Sequence, residues 1–92
     1  LTGIRQSTSQ LIKSIYPNPA SGIINIFLQF RQSDDVQLKI LDIKGMEMYN
    51  RKFTAPKGEY MENIDVSRFA NGIYIIELRN KTEVITEKFI KE

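Results

Sequence analysis

The stretch Val36-Gln37-Leu38-Lys39-Ile40-Leu41-Asp42-Ile43-Lys44-Gly45 decides the fold. Val36, Leu38 and Ile40 alternate with Gln37, Lys39 and Leu41, the period of two that puts one face of a strand in a core and the other in solvent. Asp42 then offers a carboxylate to its own backbone and Gly45 can take a positive φ, so the run ends in a tight turn. An extended run over residues 46–53 follows. Strand, turn and strand in this order read as a β-hairpin.

The same alternation recurs outward from this hairpin. Upstream, Ile24, Ile26, Leu28 and Phe30 share one face of residues 23–30, and a short strand is expected over residues 11–16. Between them Pro17-Asn18-Pro19-Ala20-Ser21-Gly22 forms a rigid turn, because the prolines fix φ and lack N–H groups, and Gly22 is free to take a positive φ. Downstream, residues 59–64 read as a polar strand suited to a sheet edge. Asp65 is placed to cap a single turn of helix or 3₁₀ that Asn71-Gly72 ends. Residues 73–78 and 83–90 close the chain as two strands around a short polar loop. Seven strands with turn residues at each break, and no sustained helical period, predict an all-β, immunoglobulin-like antiparallel β-sandwich.

Ninety-two residues suffice for one domain. Hydrophobic residues at 41% and charged residues at 26% match globular usage and exclude a disordered tail as a description of the whole. Thirteen basic and eleven acidic side chains are interspersed, which argues against a nucleic-acid surface. No apolar run approaches the roughly 20 residues that span a bilayer. Residues 1–10 are polar and aperiodic and read as linker. The chain starts at Leu1 without a signal-peptide pattern, so it is expected to be the C-terminal piece of a longer protein with its own targeting segment upstream.

The sequence has no His and no Cys, which removes Ser-His-Asp and Cys-His catalysis, imidazole acid-base chemistry, disulfides and thiolate metal sites. No catalytic residue, no cofactor and no metal ligand set is expected. Asp34-Asp35 in a polar loop could contribute with Ser33 to a calcium site, but a full ligand spacing is missing. Asn80-Lys81-Thr82 matches the glycosylation triplet, yet Asn and Thr also serve turns at such a loop. Tyr16, Tyr49, Tyr60 and Tyr74 would form a sugar-stacking platform only if they shared one exposed face.

Four segments in order resemble one known family. Ile15-Tyr16-Pro17-Asn18-Pro19-Ala20-Ser21-Gly22 is similar to its opening YPNPAxG segment, and Val36 to Gly45 to its strand followed by D-x-x-G. Ile64-Asp65-Val66-Ser67-Arg68-Phe69-Ala70-Asn71-Gly72-Ile73-Tyr74 resembles its iDvSxlxxGxY element, and Glu87-Lys88-Phe89-Ile90-Lys91 its basic, apolar terminus. The family is that of the C-terminal sorting domains of the type IX secretion system of Bacteroidota-type bacteria. Phe69 stands where Leu is common, Asn71 where Ala or Pro is common, and Glu92 follows the last lysine.

This resemblance implies a non-catalytic sandwich over residues 14–92 behind a linker at 1–13. It implies an upstream cargo in the same chain, recognition by outer-membrane secretion machinery, removal by a sortase-like protease cutting near the linker, and a secreted or cell-surface destination. Lys88, Phe89, Ile90 and Lys91 are the expected recognition residues. Pro17, Asn18, Pro19, Gly22, Asp42, Gly45, Asp65, Gly72 and Tyr74 are expected to shape turns. A fibronectin-III-like or carbohydrate-binding accessory module is the alternative reading. An exposed edge strand would also permit dimerisation.

Overall fold

A computed structural model describes residues 11–92. Seven strands follow in order: β1 (Ile12–Tyr16), β2 (Ile23–Phe30), β3 (Asp34–Asp42), β4 (Glu47–Ala55), β5 (Gly58–Asp65), β6 (Gly72–Arg79) and β7 (Val84–Lys91). One sheet has the order β1-β2-β5 and the other β4-β3-β6-β7, with every pairing antiparallel. The expected immunoglobulin-like sandwich is therefore present, with hairpins β1–β2, β3–β4 and β6–β7 joined by connections that cross between the sheets.

The alternating patterns build the core. Ile24, Ile26, Leu28 and Phe30 of β2 face Val36, Leu38 and Ile40 of β3 and Tyr74, Ile76 and Leu78 of β6, all buried. Burying an Ile, Leu or Phe side chain contributes roughly 1.5–3 kcal/mol, so these inner faces carry more of the stability than any single polar contact. Polar β5 lies at a sheet edge, as its composition predicts. At the β3–β4 turn, Asp42 Oδ1 accepts from the amides of Lys44 and Met46, each at 2.9 Å, and Gly45 takes φ 89°.

One local expectation is met and two are corrected. Between Asp65 and Gly72 the expected single turn is present, closed by Phe69 N–H donating to the Val66 carbonyl at 2.9 Å, the i→i+3 bond of one 3₁₀ turn, and it does not continue into a helix. Val66 is buried and its own N–H donates to the Gly22 carbonyl, which holds the first residue of the expected helical turn at the sheet end. Gly22 does not take a positive φ; its carbonyl is used in that bond. Strand β3 begins at Asp34, inside the expected loop, because Asp34 and Asp35 pair with Ala55 and Thr54 of the longer β4.

The expected linker, residues 1–13, lies mostly outside the described residues. Its last part belongs to the fold: Leu11 carbonyl accepts from Gln29 N–H, and Ile12 is buried at the start of β1.

Candidate functional site

Strand β7 runs along one edge of the four-stranded sheet, and alternation splits its residues between two faces. Phe89 points inward and is fully buried, stacked on Tyr74 with ring centroids 5.5 Å apart. Lys91 is also buried; its Nζ donates to the Glu92 carbonyl at 3.1 Å while its stem packs inside. Lys88 and Ile90 point outward and are exposed. Of the four expected recognition residues, the fold thus turns two to solvent and places Phe89 and Lys91 inside, because a strand cannot show consecutive side chains on one face.

The outward pair joins a larger apolar surface. Ile90 pairs across the strands with Ile73, and the two are 44% and 46% exposed. Lys88 pairs with Ile75, which in turn pairs with Leu41 of β3. Ile73, Ile75 and Leu41 were not singled out from sequence, although their alternation with Gly72, Tyr74 and Ile76 or with Ile40 and Asp42 carries the signal.

The opening proline segment meets this strand. Asn18 Oδ1 accepts from Ile90 N–H at 2.9 Å, Ala20 N–H donates to the Ile90 carbonyl at 2.8 Å, and Glu92 N–H donates to the Ala20 carbonyl at 2.9 Å. Ala20 is buried and forms a parallel bridge with Lys91. Pro17, Asn18 and Pro19 themselves are exposed.

Tyr74, Gly72 and Asp65 build the turn before β6. Tyr74 Oη donates to the Ala70 carbonyl at 2.6 Å, and its ring lies between Phe69 and Phe89. This is the tyrosine-corner arrangement of such sandwiches. Gly72 takes φ 153°, where a side chain is strained although space is open around it. Asp65 Oδ1 accepts from Ser67 N–H at 2.9 Å, and hydrogen bonds from Ser67 hold its carboxyl below the usual carboxylate range.

On the opposite side of the sandwich, buried Glu62 of β5 closes the gap to β4. It accepts from Tyr49 Oη at 2.9 Å, Tyr60 Oη at 2.9 Å and Arg51 Nη1 at 2.6 and 2.7 Å. Burial, followed by the hydrogen bond to Glu62, pushes the Tyr49 hydroxyl up to about 12, and the same carboxylate raises Arg51. Arg51 also lies over the Phe53 ring at 4.8 Å. The tyrosines do not share an exposed face: Tyr74 is in the core, Tyr49 and Tyr60 turn to Glu62, and Tyr16 is exposed elsewhere.

The remaining polar candidates are engaged in loop structure. Adjacent strand residues face apart, so Asp34 accepts from Asn80 Nδ2 at 2.8 Å and Asp35 from Thr54 Oγ1 at 2.7 Å. Asn80 Oδ1 in turn accepts from Thr82 N–H and Glu83 N–H, which shapes the β6–β7 turn. Among the described residues no three acidic side chains gather as a metal-ligand group.

Residues 14–92 match the family described as "Secretion system C-terminal sorting domain". The chain is also 34% identical over 86 residues to Beta-agarase D of Zobellia galactanivorans, across 92% of this chain and 16% of that relative. It therefore spans a small part of the relative's length. The family match covers all four motif segments and, apart from the first two residues of β1, the seven strands that carry them. The chain belongs to the C-terminal sorting domains of the type IX secretion system, signals that send the protein joined to them to the cell surface or beyond it.

Proposed function

We propose that the secretion machinery reads this signal on the outer face of β6 and β7, with Ile90 and Lys88 at its centre and Ile73 and Ile75 beside them. The carrying observation is the cross-strand pair Ile73–Ile90, two large apolar side chains left nearly half exposed beside Lys88. An apolar centre with a charged neighbour suits a protein partner better than bulk water. Phe89 and Lys91 support this face from within. The cargo lies upstream in the same polypeptide, and a sortase-like protease cuts in the linker ahead of β1. The polar, aperiodic composition of residues 1–10 supports that placement, since such sequence suits a protease cleft better than a core. The domain itself performs no catalysis.

The test is a reporter joined upstream of the 92-residue chain in a host with type IX secretion. Deleting residues 88–92 would remove Phe89 from the core and confound recognition with unfolding. The informative variant is Lys88→Glu with Ile90→Asn, which leaves the inner face intact. It should retain its urea midpoint and reduce surface delivery by about tenfold or more, the effect of losing central interface contacts. Lys52→Glu, on β4 of the same sheet, should be exported normally. Export of the double variant at the unaltered level would refute the proposed face.

A further inference from the structure

We propose that Asn18 is a positioning residue of the sorting signal: its side-chain carbonyl pins the end of β7, and the signal is read only with residues 90–92 held in that shape. This rests on the outer-face reading above.

The end of an edge strand ordinarily frays, since half of its backbone groups face no strand. In an antiparallel pair, alternate residues direct N–H and C=O away from the partner. In β7 these are Val84, Thr86, Lys88 and Ile90. Ile90 is the one held, with its N–H on Asn18 and its carbonyl on Ala20, and the Ala20 carbonyl then takes Glu92 N–H. Val84, Thr86 and Lys88 have no such backbone partner among the described residues. Among the described residues the pin therefore acts on residues 90–92 and not elsewhere along the edge.

The pinning segment is suited to this task and to no longer pairing. Pro17 and Pro19 have no N–H to continue a ladder, so the segment contacts the strand through Asn18 Oδ1 and the Ala20 backbone. Asn18 is exposed and its side-chain acceptor serves Ile90 alone among the described residues, whereas Ala20 is also a core residue. Asn18 is thus the group whose loss should free the strand end with little effect on the core. Holding Ile90 N–H fixes the backbone from which the Ile90 side chain meets Ile73. The first and last motif segments of the sequence, 72 positions apart at this bond, form one unit in space.

The experiment combines site-resolved amide hydrogen exchange of the 92-residue chain with export of the upstream reporter. Asn18→Ala removes the acceptor, Asn18→Ser keeps polarity but is too short to reach, and Asn18→Asp keeps an acceptor of the same length. Losing one hydrogen bond should speed Ile90 amide exchange about five- to tenfold in Asn18→Ala and Asn18→Ser, with Leu38 exchange unchanged. Export of both should fall, and Asn18→Asp should restore both protection and export.

Faster Ile90 exchange with normal export would overturn the inference, because the pinned shape would then not be read. Unchanged Ile90 exchange in Asn18→Ala and Asn18→Ser would overturn it by removing the pin. Failure of Asn18→Asp to export despite protected Ile90 would assign Asn18 another role. Ile90→Asn measured in parallel separates this inference from the face on which it rests. Lost export with Ile90→Asn and normal export with Asn18→Ala rejects only the pin, whereas normal export with both rejects the recognition face as well.

Discussion

Glu62 lies in a stretch, residues 59–64, whose polar sequence reads as a sheet edge, yet it is buried and accepts from two tyrosines and an arginine. A buried carboxylate is tolerated where charge-assisted bonds replace its water. Glu62→Ala should lower stability by about 2–3 kcal/mol in urea unfolding, because Tyr49 and Tyr60 lose their acceptor together. Tyr49 offers a pH signature of the same site. Its hydroxyl is raised from 10.0 to about 12, first by burial and then by Glu62, so the folded state holds the proton more tightly than the unfolded state. Its contribution is complete below about pH 10 and disappears as pH rises through about 12. Tyr49→Phe should flatten the loss of stability over that alkaline interval, measured by denaturant midpoints at each pH.

At the scale of elements, the β3–β4 hairpin and strand β7 show how far local pattern reaches. Asp42 and Gly45 behave as their residue types require, and an added methyl at Gly45 would meet no neighbour within 4 Å. Gly45→Ala should therefore cost about 1–2 kcal/mol through φ alone, visible as a lower unfolding midpoint with unchanged cooperativity. In β7 the existence of a strand was legible, but Lys88 to Lys91 read as one motif when they are two alternating sets. Period-two geometry assigns the sets, and the stack of Phe89 on Tyr74 determines which one faces inward. The expected single turn between Asp65 and Gly72 forms and stops there, with Val66 buried in the core and its N–H held by the Gly22 carbonyl.

For the whole molecule, the absence of His and Cys bears on stability as well as on chemistry. No side chain of ordinary pKa titrates between about pH 6 and 9, so the thermal midpoint should be flat across that interval and indifferent to reductant. Below it, Asp65 and Glu47 contribute to the descent: hydrogen bonds from Ser67 and from Lys39 lower their carboxyls. Lowered groups stabilise above their unfolded range and lose that contribution as pH falls through the folded value, so Asp65→Asn should soften the acid limb of the profile.

The sequence by itself determined the strand periodicity, the turns at Asp42-Gly45 and before Tyr74, the single core face of β2 and β3, and the family's ordered motifs. These are local properties, set by side-chain alternation and backbone freedom within a few residues. Only the tertiary structure decided that Asn18 holds Ile90, that Glu62 draws Tyr49, Tyr60 and Arg51 together, and that Ile73, Ile75 and Leu41 extend the face of Lys88 and Ile90. Such contacts depend on how two sheets stack and which edges meet, and hydrogen bonds between residues far apart in the chain leave no period in it to read.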